Sequence, residues 1–190
     1  LVVSGAITGT TASLTKNGNG TLLLSGANTF DGAIAVNAGI LSVGHADALG
    51  TIVGGTTVAN GASLQFQGGA AVLAEAVTLE GVGAGSAGAL RNLSGANSFN
   101  GLITLAGDTF VQSDAGSLTL GGATAIDAGS RVLTFGGAGA VVVTGAITGA
   151  GASVTKTGTG VLTLSGANGF AGGLTVSAGT LALGSNDASA

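Results

Sequence analysis

The chain has 190 residues, 39 of them glycine, and it lacks proline, cysteine, tryptophan, tyrosine and methionine. Collagen is excluded, because a triple helix needs glycine near every third position and abundant proline. Linkers and disordered tails are excluded too, since 45% of the residues are hydrophobic and only 6% are charged. A net charge of −4 with four basic residues argues against nucleic acid, whose affinity rests on Lys and Arg, and zero cysteine removes disulfides and thiolate chemistry.

From the start of the chain, short apolar segments alternate with period two. Ile34 and Val36 flank Ala35, and Leu41 and Val43 flank Ser42. The pattern continues with Leu64 and Phe66 around Gln65, Val77 and Leu79 around Thr78, Leu133 and Phe135 around Thr134, and Leu162 and Leu164 around Thr163. Such alternation predicts half-buried strands, and the Gly-Ala, Gly-Asn and Asn-Ala-Gly clusters between them predict turns. No window holds an apolar pattern at helical spacing. The longest run free of glycine and polar residues is 70–74, far short of the ~20 residues a membrane-spanning helix needs. The chain is therefore not expected to insert into a membrane.

Internal repeats decide how the strands are arranged. Residues 3–44 align without gaps on residues 143–184, with identity at 25 of 42 positions. TKNGNG at 15–20 matches TKTGTG at 155–160, and LLLSGANTFDG at 22–32 matches LTLSGANGFAG at 162–172. A third copy, LSGANSFNG, stands at 93–101. The motif serines Ser25, Ser94 and Ser165 thus mark a super-repeat of about 70 residues. Inside it, Ser-Gly-Ala recurs from Ser4 to Ser25 and Val36-Asn-Ala-Gly resembles Val58-Ala-Asn-Gly, giving coils of about 21–23 residues. A period of about 20 residues belongs to solenoids. The expected fold is all-β: a single-stranded right-handed parallel β-helix of eight or nine coils, continuous over 1–190, with handedness following the usual rule for parallel crossovers. At ~4.8 Å per coil the rod is about 40 Å long. A β-sandwich explains the short strands but not the long gapless match.

The string G-x-G-x-L-x-L-S-G-A-N-x-F-x-G at 158–172, together with V-x-A-G-x-L at 36–41 and 176–181, resembles the autotransporter-associated β-strand repeat, also called the passenger-associated transport repeat. The resemblance covers two full units, 3–44 and 143–184, and a partial third. It implies a right-handed β-helix in the passenger of a Gram-negative autotransporter, exported across the outer membrane to the bacterial cell surface. A signal peptide and an outer-membrane barrel usually accompany such passengers, and neither is visible here, so the chain is expected to be a fragment of a longer repeat protein.

Asn28, Asn97 and Asn168 share one repeat position, and Phe30, Phe99 and Phe170 share another two residues on. The asparagines are expected to hydrogen-bond along the solenoid at a turn and the phenylalanines to fill the interior. Lys16 and Lys156, in K-x-G-x-G, lack the following Lys-Ser/Thr and helix of a phosphate loop and are expected to be solvated turn lysines. His45, the single histidine, sits near Asp47, but its counterpart in the later copy is Ser185, so catalysis is not assigned to it. The acids Asp31, Asp47, Glu75, Glu80, Asp108, Asp114, Asp127 and Asp187 are scattered, whereas glycosidases need two carboxylates close together. Residues 136–141 begin like the calcium nonapeptide, yet Val141 stands where its Asp belongs. The alternation of Thr155, Thr157 and Thr159 suggests an ice-binding array, but glycines interrupt it.

These readings converge on no catalytic, cofactor-binding or metal site. The expected role is a structural or adhesive stalk, with flanking β-helix repeats and host or neighbouring-cell receptors or glycans as partners, and weak repeated contacts adding up to avidity. Three alternatives remain: a filament subunit stacking through open strand edges, and, more remotely, a polysaccharide-active enzyme, since β-helices also carry that chemistry, or an ice-binding threonine face.

Overall fold

The computed structural model describes residues 1–72 and 74–184; Ser185 and Asp187 lie outside the described residues. It is an all-β solenoid of about nine coils in which every strand pairing is parallel. The chain passes three faces in each coil.

The first face stacks Val2–Val3, Thr21–Leu24, Gly39–Val43, Ala62–Gln67 and Leu90–Ser94 in succession. It continues through the second half of Ile103–Ser113 into Val132–Gly136, Ser153–Lys156 and Leu174–Val176. The third face stacks Leu14–Lys16, Ile34–Val36, Thr56–Val58 and Val77–Gly81. It then runs through the first half of Ile103–Ser113 into Thr124–Asp127, Ala146–Gly149 and Gly169–Phe170. Ile103–Ser113 thus rounds a corner as one strand and joins two faces. The second face has regular strands only from the fourth coil onward: Ala71–Val72, Ala96–Phe99, Ser117–Leu120, Ala140–Val143, Val161–Leu164 and Thr180–Leu183. In the earlier coils that face is loop.

The period-two alternation translates directly into burial. Ile34, Val36, Leu41, Val43, Leu64, Phe66, Val77, Leu79, Leu133, Phe135, Leu162 and Leu164 all belong to one continuous core. In-register parallel stacking places like side chains over like, so a thin core of Val, Leu and Ile fills without large aromatics. Ser42 and Gln65, on the outer side of their strands, are nevertheless buried. Ser63 is buried as well, because the loop after Val77–Gly81, with its 3-10 turn Ala84–Ser86, folds over it. Ala84 N–H donates to Ser63 Oγ at 2.9 Å, and Ser63 Oγ donates to the Gly88 carbonyl at 2.7 Å.

The pairings show that the repeat and the coil are not commensurate. Ladder partners carry Leu14 through Ile34, Thr56, Val77, Ile103 and Ile126 to Ile147. Val154, which matches Leu14 in sequence, lies one face further on, in Ser153–Lys156. The first and second motif copies, around Asn28 and Asn97, both occupy the second face. In the third copy Gly169–Phe170 pairs with Ala146–Gly149 on the third face. The cause is coil length. The step from Leu64 to its ladder partner Leu90 is lengthened by the 3-10 loop, which absorbs extra chain between the first two copies. The later steps, from Phe99 to Leu120 and from Val143 to Leu164, carry no such loop and are shorter, so the same sequence interval reaches one face further.

Candidate functional site

Lys16 ends the strand Leu14–Lys16, and Lys156 ends Ser153–Lys156. Both are buried, 7% and 2% exposed, which overturns the expectation of solvated turn lysines. Lys16 Nζ donates to the carbonyls of Asn17 at 3.2 Å, Gly18 at 2.6 Å and Ala38 at 3.0 Å. Lys156 Nζ donates to Thr157 at 2.5 Å, Gly158 at 2.9 Å and Ala178 at 3.3 Å. Three donors meet three carbonyls, two from the lysine's own turn and one from the next coil, and that satisfaction makes burial of the ammonium tolerable. Burial pushes the Lys156 ammonium below its usual value, and the carbonyls hold the proton against that pressure.

The next coil locks onto the same turn. Gly39 and Gly179 have φ of 69° and 75°. A Cβ on Gly39 would meet the Gly18 and Gly20 carbonyl oxygens at 2.5 Å, and one on Gly179 the Gly158 oxygen at 2.5 Å. K-x-G-x-G and V-x-A-G are therefore two halves of one interlocked corner, and only glycine fits where they touch.

The asparagines also tie coils through backbone. Asn28 Oδ1 accepts from Ile7 N–H at 2.8 Å, and its Nδ2 donates to the Ala48 carbonyl at 2.6 Å. Asn168 Oδ1 accepts from Ile147 N–H at 2.9 Å while Nδ2 donates to Gly166 at 3.1 Å. Asn97 Oδ1 accepts from Gly69 and Ala70 at 2.9 and 2.6 Å, and its Nδ2 donates to Asn92 Oδ1 at 2.5 Å and to Ser94. Each side chain reaches its neighbouring coil, and the three asparagines do not stack on one another. Phe30, Phe99 and Phe170 are all buried in the core.

A family model described as the passenger-associated-transport-repeat matches residues 14–43 and 154–183, the two spans from the lysine strand through the glycine lock. The chain carries passenger-associated-transport repeats. A curated relative, an adhesin named BmaC autotransporter from Brucella suis biovar 1 (strain 1330), is 46% identical over 79 residues. That match covers 42% of this chain and 2% of the relative. No solved structure matches. The repeats and the relative support a segment of a surface-exported autotransporter passenger.

The acids do separate jobs. Asp31 Oδ1 accepts from Thr51 Oγ1 at 2.6 Å, Asp108 Oδ1 caps Val132 N–H at 2.9 Å and Asp127 Oδ1 accepts from Gly129 N–H. Asp114 pairs with Arg91 and accepts from Gln112. Arg91 Nη1 also donates to Gln65 Oε1 at 3.4 Å, and Gln65 Nε2 donates to Ser42 Oγ at 3.3 Å. These residues form a polar ladder up the first face, invisible in sequence because each rung joins one coil to the next. The side chain of His45 lies 3.7 Å from Asp47, both exposed, with no serine brought to it by any hydrogen bond among the described residues. Thr157 and Thr159 sit in the turn after Ser153–Lys156. The outward threonine row instead runs up the third face, Thr15, Thr57, Thr78, Thr104 and Thr148, broken by Ala35 and Asp127. Among the described residues no cluster of three metal-ligating side chains occurs, and no helix is long and apolar enough to cross a membrane. Asp47 and Glu75 line a cavity of about 440 Å³ over the looped second face.

Proposed function

We propose that the chain is a stalk segment of a cell-surface autotransporter passenger, acting mechanically and through its side faces rather than by catalysis. The continuous core is the observation that carries this reading. It runs from Leu22 to Phe170 without a break, and register-locked corners tie coil to coil, so the segment bends little. A rod of about nine coils at ~4.8 Å each separates whatever it joins by about 40 Å. The edge strands Val2–Val3 and Thr180–Leu183 each pair on one side only among the described residues. Flanking coils are the partners those edges fit, and the adhesive role follows that of the relative. The carboxylates, mostly occupied in capping and pairing, support a non-enzymatic reading.

The test uses the parent protein on intact cells. An epitope placed in the 3-10 loop at Gly85, where an added Cβ would meet nothing within 4 Å, should be labelled without permeabilisation. An in-frame deletion of residues 1–184 should leave export intact and reduce attachment to host cells or neighbouring bacteria. An epitope hidden on intact cells, or undiminished attachment after deletion, defeats the reading. The filament alternative makes a separate demand: the isolated chain would have to lengthen into rods at high concentration, and sedimentation showing monomers alone dismisses it.

A further inference from the structure

The second face of the early coils is built largely of loops, and the cavity between them has a mixed wall. Ala27, Leu49, Ile52 and Val72 make it apolar, and Asp47 and Glu75 give it two carboxylates. Asp47 is exposed, whereas Glu75 is only 3% exposed and accepts one hydrogen bond, from Thr56 Oγ1 at 3.0 Å. Among the described residues no Lys, Arg or His pairs with Glu75. The chain cannot readily supply a counter-ion, for it has four basic residues in all. Lys16 and Lys156 are caged, Arg91 is bound to Asp114, Arg131 precedes Val132–Gly136 several coils further along the solenoid, and the single histidine, His45, lies against Asp47. A buried carboxylate without a cation is held at a disadvantage until one arrives, and burial accordingly pushes the Glu75 carboxyl above its ordinary value.

We propose that this cavity receives the side chain of a lysine presented by a partner protein, its ammonium pairing with Glu75 and its aliphatic stem lying along the apolar wall. The chemistry selects this occupant. A neutral sugar leaves the Glu75 charge uncompensated and gains nothing from the apolar wall. An anion is repelled by both carboxylates. A guanidinium pairs best with a carboxylate that has both oxygens free, whereas Glu75 Oε1 already accepts from Thr56; an ammonium needs only the oxygen that is left and brings a flexible apolar stem. An entering lysine passes the solvated Asp47 before it reaches the buried Glu75. The inference is independent of the stalk reading, since a rod serves as a spacer whether or not its flank holds a lysine.

The groups facing Glu75 are Thr56, from the strand Thr56–Val58, and Asp47 across the cavity, with His45 3.7 Å from Asp47. Because the folded carboxyl is raised, Glu75 is neutral in acid, and lysine affinity rises as the pH climbs through its titration. By linkage, a bound ammonium lowers that titration in turn.

The experiment titrates the folded chain with Nα-acetyl-lysine methylamide and follows the Glu75 carboxyl carbon by NMR. The norleucine analogue and glucose serve as neutral comparisons. The expected result is saturable binding of the lysine probe at pH 7, at least tenfold tighter than either comparison. Glu75→Gln should weaken it at least tenfold, and Asp47→Asn a few-fold. Should Glu75→Gln fail to fold, the wild-type pH series decides, because affinity must track the titration read at the Glu75 carboxyl carbon itself. Equal binding by Glu75→Gln, binding of glucose or norleucine as tight as lysine, a flat pH series, or no binding of the lysine probe each overturns the proposal.

Discussion

The corner at residues 14–43 and the corner at 154–183 share their sequence and their interior, yet they sit on different faces of the solenoid. Lys16 closes its cage at the end of a third-face strand, and Lys156 closes an equivalent cage at the end of a first-face strand. The repeat therefore specifies a corner, and it does not specify which corner of the triangle it becomes. Everything that defines it is local in the wound chain: a lysine, the turn it caps, and the glycine of the next coil that presses on that turn. Which face it occupies is settled elsewhere, by how many residues intervening coils consume. The two corners also differ in support. Among the described residues Leu14–Lys16 pairs on one side only, with many coils following it, whereas Ser153–Lys156 pairs on both sides. The second corner is in turn followed by a single final coil, whose Val176 and Leu183 are 47% and 42% exposed.

Support that varies along the rod predicts unequal responses to equivalent substitutions. The largest effect should come from the aromatic positions. Phe99→Ala removes a fully enclosed ring that packs against Phe66 with centroids 6.0 Å apart, and should cost about 3–5 kcal/mol. Phe170→Ala, nearer the thinly covered end, should cost less than half of that and release only the last coils. Urea unfolding reports the first as a lower midpoint for the whole chain and the second as a separate early phase. Equal, single-phase losses would mean that coil position does not matter.

The lysine cages come next. Lys16→Met and Lys156→Met keep the apolar stem and orphan three carbonyls, which should cost roughly 2–3 kcal/mol each. If the corner is an autonomous module, the two losses agree within the difference set by coil position; if the face matters, they diverge beyond it. Chemical denaturation of the two variants side by side makes that comparison. Asn28→Ala should follow at about 1–3 kcal/mol, because Ile7 N–H loses its acceptor and Ala48 its donor. Asn168→Ala should fall at the low end, since its amide binds within its own turn at Gly166. Amide exchange at Ile7 and Ile147 reads the two directly.

The solenoid itself was legible in sequence, since a coil-length repeat combined with period-two alternation admits few other arrangements, and both Leu162 and Leu164 point in. The lysine burial was not. A lysine beside glycines in a turn has the composition of a solvated loop, and only the arrival of the Ala38 carbonyl from the following coil supplies the third partner that makes burial tolerable. The face shift was hidden for a related reason. A long gapless match shows that two segments fold alike, but says nothing of their angular position, which depends on lengths summed over coils that do not match. The polar ladder from Ser42 to Asp114 and the meeting of Asp47 and Glu75 in one cavity likewise join residues that no local pattern connects.

The smallest expected effect tests the claim about coil length. Deleting 82–86 removes most of the loop carrying the 3-10 turn and leaves Ala87, Gly88 and Ala89 to join Gly81 to Leu90, a link as short as the one from Leu105 to Thr109 across a corner of the next coil. If the loop is spare chain laid over a finished face, the shortened protein keeps its β-rich circular dichroism and loses about 1 kcal/mol, chiefly because Ser63 Oγ loses the Ala84 N–H that donates to it. The pairings of Leu64 with Leu90 and of Val77 with Ile103 should survive, so the second motif copy should stay on its face and Asn97 should still protect Gly69 and Ala70 N–H from exchange. Loss of that protection would mean that the long coil sets the register of the copies after it, and that the loop is part of the winding rather than a cover on it.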